Sequence, residues 1–264
     1  MKILFLGDVY GPPGRRALTQ TLPALKARLG VDVTVVNGEN AADGFGLMPA
    51  HVTELVAAGA DLITTGDHVF DKRELMPALA TETRVIRPAN YPEGAPGRGS
   101  AVLDTRTGKR VAVLNLQGRV FMQKQTLDDP FQAAKREVAM LKAQAAVVLV
   151  DFHCEATSEK VAMGWWLDGL ASAVIGTHTH VQTADERILP QGTAYLTDAG
   201  MCGPVDSIIG SRVDRMLARF TTQLPSQSVP ADGPVRLCGA LIEVDDATGR
   251  ATAITRVNEP AATA

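Results

Sequence analysis

The sequence predicts an α/β fold in which two packed β-sheets lie between outer helices. Short apolar runs alternate with segments whose apolar residues recur at helical spacing. Such alternation is typical of parallel strands joined by helical crossovers. The 264 residues are enough for one large domain. We see no long linker, internal repeat or low-complexity block in the sequence, so we expect a single domain over residues 1–264.

The first half of the chain contains predicted strands alternating with predicted helices. The strands are short apolar runs at residues 2–7, 32–38, 61–66 and 84–89. Residues 14–30 and 49–59 have helical periodicity. Gly30 and Gly59 stand at the ends of these helices, at positions suited to C-caps.

The second half opens with a predicted hairpin and then returns to the same alternation. Residues 100–118 contain two apolar segments around "TRTGKR", which is typical of a hairpin. Helices are predicted at residues 129–144 and 156–169, and strands at residues 145–153 and 171–176. The second of these helices has a threonine or serine in position to cap its start and Glu159 in its first turn. A last hairpin is expected over residues 235–257 around "DDATG".

Composition and charge exclude several function classes. The chain is 45% hydrophobic and 21% charged, as ordinary soluble globular proteins are. Its net charge of −3 disfavours general binding to DNA or to membrane surfaces. No apolar run reaches the roughly 18 residues of a membrane helix, and the first residues lack the pattern of a signal peptide. Three widely spaced cysteines without a CxxC motif fit a reducing compartment, so we expect a cytoplasmic protein.

Polar side chains follow the carboxyl ends of five predicted strands, which is where open α/β sheets bind ligands. These ends carry Asp8, Asn37, Glu39, Asn40, Asp67, His68, Asp151, His153, His178 and His180. Taken singly, each has an ordinary alternative as a helix cap, a loop residue or a buried histidine. Independent caps need not all fall on one edge, so the set as a whole favours a functional site.

The pair His178 and His180 is the strongest single signal. Alternate residues of a strand point to the same face, so both imidazoles are expected to face one point. His51 lies inside a predicted helix, away from any strand end, and we expect it at the surface. Imidazole, carboxylate and amide ligands together suit first-row cations such as Fe, Mn or Zn. Two such cations roughly 3.5–4 Å apart can clamp an in-line displacement at phosphorus.

The order of these motifs resembles that of the calcineurin-like metallophosphoesterases. That superfamily has Asp-x-His, Gly-Asp, Gly-Asn-His, a lone His and Gly-His-x-His in sequence, and this chain has "GDVYG", "NGEN", "GDHVFD", "DFHCE" and "GTHTH". Tyr10 stands where the usual second metal histidine would be, and Glu39 with Asn40 replaces the usual aspartate. Both changes, with "RPANYP", "HCEATSEK" and "YLTDAGMCGP", are similar to the YmdB-like branch of bacterial cyclic-nucleotide phosphodiesterases.

The resemblance implies a four-layer α/β/β/α sandwich of two mixed sheets. It also implies two first-row metal ions, Fe or Mn before Zn, in two ligand sets that share Glu39. The first set is Asp8, Glu39, Asn40 and His180, and the second is Glu39, Asp67, His153 and His178. A metal-bridging hydroxide would attack the phosphorus, and His68 would protonate the leaving oxygen. The branch usually has asparagine at the position of Asp67. The resemblance to this branch also implies that the protein forms homo-oligomers.

The expected substrate is a 2′,3′- or 3′,5′-cyclic nucleotide, and other functions stay open. The same chemistry could serve phosphomonoesters or RNA, or a weakly active site could belong to a regulatory protein. A dinucleotide-binding module is disfavoured because "GDVYGPPG" lacks the G-x-G-x-x-G spacing. An amidohydrolase barrel is disfavoured because its His-x-His motif typically lies on the first strand.

Several further residues have weaker signals. Arg87, Asn90 and Arg119 are candidates for phosphate neutralisation, although a loop or edge role is favoured for each. Cys154 is expected to be a small buried filler. Tyr195 and Asp198 are candidates for fixing the metal-bound imidazoles through their second nitrogens.

Overall fold

The computed structural model describes residues 1–105, 107–122 and 125–261. The strands within them are β1 (Lys2–Leu6), β2 (Asp8–Val9), β3 (Val33–Asn37), β4 (Leu62–Thr64), β5 (Ser100–Asp104), β6 (Arg110–Gln117), β7 (Val147–His153), β8 (Ala173–Thr177), β9 (Arg187–Ile188), β10 (Ala194–Leu196), β11 (Met201–Pro204), β12 (Val235–Val244) and β13 (Ala251–Pro260). The helices are α1 (Gly11–Leu29), α2 (Pro49–Ala58), α3 (Leu75–Ala78), α4 (Pro130–Lys142), α5 (Thr157–Trp166) and α6 (Val213–Thr222).

The strands form two mixed sheets. One has the order β2-β11-β12-β1-β3-β4, with β13 paired to β12, and the other has the order β5-β6-β7-β8-β10-β9. In the first, β1, β3 and β4 are parallel and β12 is antiparallel to β1. In the second, β6, β7, β8 and β10 are parallel and the edge strands β5 and β9 are antiparallel.

Three apolar cores between the layers give the fold four layers. Alternation along β1 shows the arrangement: Ile3 and Phe5 point to the core between the sheets, and Leu4 and Leu6 point to the core under α1 and α2. A third core lies between the second sheet and the helices α4 and α5. The prediction of two packed mixed sheets with helices outside is confirmed.

Most predicted elements lie within a few residues of their observed bounds. Gly30 and Gly59 adopt the left-handed conformation at the ends of α1 and α2, as expected of C-caps. Both predicted hairpins form, β5 with β6 and β12 with β13, although Arg106 of the first turn lies outside the described residues. No helix in the described part of the chain is both long and apolar enough to cross a membrane.

Two local predictions were wrong. Residues 84–89 form no regular strand, because only Val85 bridges to Ile63 before Pro88 removes a backbone donor. The residue that caps α5 is Ala156, with no side-chain cap, rather than a threonine or serine. Glu159 does lie in the first turn of α5, and its carboxylate accepts hydrogen bonds from the backbone N–H groups of Arg119 and Val120.

Candidate metal centre

The strand ends bring the predicted ligands together at one edge of the two sheets. Asp8 follows β1, Glu39 and Asn40 follow β3, and Asp67 follows β4; their side chains meet those of the second sheet. Asp8, Glu39 and His153 are completely buried. Gly66 is required here, because a Cβ on it would lie 1.9 Å from Glu39 Oε2 and 2.2 Å from His153 Cδ2.

One group of ligand atoms is compact enough for a single cation. Ligand atoms of Glu39, Asp67, His153 and His178 all lie within 4.8 Å of one another. His153 Nε2 is 3.2 Å from Glu39 Oε1 and 3.2 Å from Asp67 Oδ1. His178 Nδ1 is 3.0 Å from His153 Nε2. These are the four residues of the second predicted ligand set.

A second group adjoins the first. His180 Nε2 lies 2.8 Å from Asn40 Nδ2 and 3.9 Å from Asp8 Oδ1. Asp8 links the groups, because its Oδ1 is 4.0 Å from His153 Nδ1 and its Oδ2 accepts from the backbone N–H of His178. Asp8, Asn40 and His180 form the first predicted ligand set together with Glu39, which precedes Asn40 in the sequence.

Several buried oxygen atoms in the two groups have no hydrogen-bond donor among the described residues. They are Asp8 Oδ1, Asn40 Oδ1 and both carboxylate oxygens of Glu39. A buried polar atom without a partner is costly, and native proteins almost always satisfy it. Cations would satisfy all four atoms, and imidazole, carboxylate and amide are ligands of first-row metals. The donor set therefore fits first-row metal binding at this sheet edge.

The route by which His178 and His180 reach the site differs from the prediction. Strand β8 ends at Thr177, and the two histidines have left-handed backbones, with φ of 100° and 66°. The alternation of side chains along a strand therefore does not determine the direction of the two imidazoles. The loop directs His178 to the first group and His180 to the second, where His180 Nδ1 donates to the Ile209 carbonyl at 2.9 Å. That bond leaves Nε2 available for a metal.

A buried ion pair holds the loop between the two histidines. Asp198 Oδ2 accepts hydrogen bonds from the backbone N–H and hydroxyl of Thr179, at 3.2 and 2.7 Å. Lys160 Nζ of α5 donates to the same oxygen at 2.5 Å, and both charged side chains are buried. Asp198 thus acts on the backbone between the imidazoles and not on their nitrogens. Tyr195, the other suggested partner, bonds to Thr197 instead.

Replacing Lys160 by methionine is expected to destabilise the protein by about 3–5 kcal/mol, because it leaves the Asp198 carboxylate buried and unpaired. The double variant Lys160→Met, Asp198→Asn should recover much of that loss. Denaturant unfolding of the metal-free protein measures both. A single variant as stable as the wild type would contradict the role given to this pair.

His153 is oriented by residues whose role the sequence analysis missed. Its Nδ1 donates to Thr177 Oγ1 at 2.9 Å, and that hydroxyl donates to Asp151 Oδ1 at 2.7 Å. These two hydrogen bonds orient the ring so that Nε2 faces Glu39 and Asp67. Residues that bond to the second nitrogen of a metal-bound imidazole orient it in the same way. Asp151 appeared only as a strand-end residue in the sequence. The signal that could have identified it is a carboxylate two residues before a candidate ligand on the same strand.

The protonation state of the first group predicts that metal binding releases protons. Burial raises the pKa of Glu39, and the pKa of His153 is also raised, because Glu39 and Asp67 outweigh its burial. The pair therefore holds a proton near neutral pH. Burial and the charge of His153 lower the pKa of His178 to about 3, so this imidazole is already neutral.

Calorimetric titration of the metal-free protein with Mn²⁺ is therefore expected to release about one proton or more per chain at neutral pH. The apparent affinity should rise with pH, because the proton held by Glu39 and His153 leaves more easily. Titrations in two buffers with different ionisation enthalpies measure the release. Identical heats in both buffers would contradict it.

His68 stands beside the ligand groups and not within them. Its Nδ1 bonds to Asp71 Oδ2 at 2.6 Å, and its Nε2 is 3.7 Å from Asp67 Oδ2. Its ring packs edge-on against Phe45, with ring centroids 5.0 Å apart. His68 lines a cavity of about 320 Å³ that His178 and His180 also line. It is placed to meet a ligand that occupies this cavity.

The residues with weaker signals in the sequence make contacts that support the fold. The Arg87 guanidinium donates to loop carbonyls, and the Asn90 amide donates to the carbonyls of Gln117 and Asp128. Arg119 pairs with Asp129 near the surface. Buried Cys154 donates to Glu159, and burial raises the pKa of its thiol. His51, expected at the surface, is half-buried on α2.

Comparisons with known proteins agree with the observed fold. The family model described as YmdB-like protein matches residues 4–257. The chain belongs to the YmdB-like family. A relative in Bacillus subtilis (strain 168), named 2′,3′-cyclic-nucleotide 2′-phosphodiesterase, is 48% identical over 257 residues, which are 97% of this chain and 96% of the relative.

Two solved structures have nearly the same fold. A hypothetical protein from Thermus thermophilus superposes with a TM-score of 0.92 at 43% identity, covering 99% of this chain and all of its own. A structure from Mycoplasma pneumoniae, titled a novel phosphatase, superposes with a TM-score of 0.92 at 34% identity, covering 99% of this chain and 94% of its own. The predicted resemblance to metallophosphoesterases of the YmdB-like branch is confirmed.

Asp67 gives a prediction that concerns metal retention. Nearby His153 holds the pKa of Asp67 well below its usual range, although burial opposes this, so Asp67 is charged. Asparagine in its place keeps the shape but removes that charge. We expect Asp67→Asn to lose metal faster to a chelator and to turn over faster per bound metal, because a less charged ligand leaves a stronger Lewis acid. Metal analysis and phosphodiester hydrolysis measure both; no change in either would contradict the prediction.

Proposed function

We propose that this chain is a metal-dependent phosphodiesterase that hydrolyses nucleoside 2′,3′-cyclic phosphates. The observation that carries the proposal is a set of buried oxygens at one sheet edge that have no hydrogen-bond donor in the described part of the chain and that lie beside three histidines. A cluster of this composition fits two first-row cations, and paired cations serve displacement at phosphorus. The name of the Bacillus subtilis relative supports the choice of substrate.

The seven predicted ligands divide between two cations in the proposal. Asp8, Asn40 and His180 would hold one, and Asp67, His153 and His178 would hold the other, with Glu39 shared by both sets. When bound, Fe or Mn ions in these positions would neutralise charge at the phosphoryl group and lower the pKa of a water molecule to near neutrality. Zinc also suits the same ligands.

His68 supplies the proton that the leaving oxygen needs. Hydrolysis adds a water oxygen to phosphorus and breaks one ribose ester bond, and the departing oxygen must be protonated. His68 Nδ1 donates to Asp71, so Nε2 is the nitrogen left to deliver a proton, and the ring must carry protons on both nitrogens to do so. The same bond orients the ring in the cavity wall.

Small substrates fit this site better than RNA. The cavity over the ligand groups has a volume of about 320 Å³, near the lower end of ligand pockets. The net charge of −3 argues against a basic track for a long phosphate backbone. A 3′,5′-cyclic nucleotide would meet the same ligands and the same acid, so it is the second candidate substrate.

Metal analysis together with hydrolysis tests the proposal. The protein is purified without chelator, its bound metals are quantified, and 2′,3′-cAMP, 3′,5′-cAMP and bis-p-nitrophenyl phosphate are assayed with added Mn²⁺. We expect about two first-row metals per chain and hydrolysis of 2′,3′-cAMP. A protein without bound metal and without hydrolysis under any metal would overturn the proposal and favour a regulatory role.

A further inference from the structure

The cavity above the ligand groups is also lined by residues that are not predicted metal ligands. Phe45 of the loop after β3 forms one side, and Met216 and Arg219 of α6 also line it. None of these three is a predicted ligand or the predicted acid. A cyclic phosphate at the ligand groups would have to place the rest of its molecule against such a wall.

We propose that Phe45, Met216 and Arg219 form the nucleoside-binding subsite, with Arg219 as the residue that distinguishes the base. This inference rests on the proposed function, because it assumes a nucleoside cyclic phosphate as substrate. It adds the part of the chain that recognises the nucleoside rather than the phosphate.

Phe45 presents an aromatic surface to the cavity. Its side chain is 41% exposed, and its ring makes an edge-on contact with that of His68. Flanking Gly44 and Gly46 have φ of 94° and 79°, and a Cβ on Gly44 would lie 2.6 Å from the Tyr10 hydroxyl. The loop therefore comes this close only with glycine. A nucleobase stacked on Phe45 would cover apolar surface that is otherwise exposed, as aromatic side chains do in nucleotide sites.

Helix α6 supplies one apolar and one cationic group. Met216 and Arg219 are three residues apart, so they lie on one face of the helix. Arg219 forms no ion pair or side-chain hydrogen bond with any residue the structure describes. The other fixed charge on the cavity wall, Glu155, lies 3.2 Å from His178 Nε2. Arg219 is thus available to a ligand.

The chemistry of a guanidinium predicts which base it favours. Its planar set of N–H donors pairs with two neighbouring acceptors, and guanine offers O6 and N7 in that arrangement. Adenine offers N7 beside an amino group, which repels a donor. We therefore expect guanosine 2′,3′-cyclic phosphate to be preferred over the adenosine compound, and Arg219 to cause most of the difference.

Two substrates separate nucleoside binding from phosphate chemistry. Nucleoside 2′,3′-cyclic phosphates and ethylene phosphate share the five-membered cyclic diester, but only the former carry a base. Phe45→Ala is expected to lower kcat/KM for both nucleoside substrates about tenfold or more, mainly through KM, since stacking contributes on that scale. Phe45→Tyr should keep the wild-type value. Arg219→Met should lower kcat/KM about tenfold for the guanosine substrate and less for adenosine.

The controls lie on the same helix. Phe220 and Arg215 are exposed on α6 and do not line the cavity, so Phe220→Ala and Arg215→Met should leave all rates unchanged. Arg219→Met should change neither metal content nor ethylene phosphate hydrolysis, and Phe45→Ala, whose ring contacts His68, should keep its metal content and lose less rate on ethylene phosphate than on the nucleoside substrates. Equal losses on nucleoside substrates and ethylene phosphate, or equal losses for both bases in Arg219→Met, would overturn the inference. A wild type that hydrolyses none of these substrates would instead overturn the proposed function.

Discussion

Replacing Glu39 by glutamine is expected to remove both metals and lower phosphodiester hydrolysis by more than about 100-fold. Glu39 is completely buried, and neither of its carboxylate oxygens has a hydrogen-bond donor among the described residues. Its atoms are the ones the two proposed ligand sets share. A glutamine offers one neutral oxygen and one amide nitrogen, and the nitrogen cannot ligate a cation.

The same variant should not destabilise the metal-free protein. Burial raises the pKa of Glu39, so the unfolded chain releases this proton more readily than the folded chain. Stability contributed by the protonated carboxyl is therefore lost as pH rises through the folded pKa. Glutamine resembles the protonated form, and we expect unfolding at neutral pH to need as much denaturant as the wild type, or more.

A surface glutamate provides the matched control. Glu243 lies across from Lys2 at the start of β1, so Glu243→Gln tests the loss of one carboxylate away from the strand ends. It should keep full metal content and activity. Metal analysis of both variants decides the matter, because two metals retained in Glu39→Gln would contradict the shared role of this residue.

The sequence predicted the site more completely than the path of the backbone through it. All seven predicted ligands lie in two adjoining groups because each follows a strand, and the existence of each strand shows in the local apolar pattern. His178 and His180 were predicted to share a strand face, yet both lie beyond β8 with left-handed backbones. Short periodic patterns do not reveal where a strand stops before a tight loop.

The supporting contacts could not be predicted because they join distant parts of the chain. Lys160 of α5 meets Asp198 only once β8 and β10 are paired. The bond from His180 to the Ile209 carbonyl needs the loop after β11 to fold back over the site. Residues 84–89 resemble a strand by their apolar residues, but the Arg87 side chain bonds to loop carbonyls there. That the whole chain is one domain stays a prediction.

Replacing His68 by asparagine is expected to lower kcat for 2′,3′-cyclic nucleotides about 10²- to 10⁴-fold while both metals stay bound, since general acid catalysis contributes on that scale. His68 lines the cavity but is outside both ligand groups. A ribose hydroxyl is a poor leaving group, so removing the proposed proton donor should lower kcat strongly. Asparagine keeps a polar side chain of similar length but cannot transfer a proton.

The leaving group distinguishes an acid from a residue that only supports the site. p-Nitrophenolate departs without protonation, so bis-p-nitrophenyl phosphate should lose much less rate in His68→Asn than 2′,3′-cAMP does. His51→Asn, on α2 away from the ligands, is the matched control and should change neither substrate. Equal losses on both substrates in His68→Asn, or loss of metal, would show that His68 supports the ligand groups and that the proton comes from elsewhere.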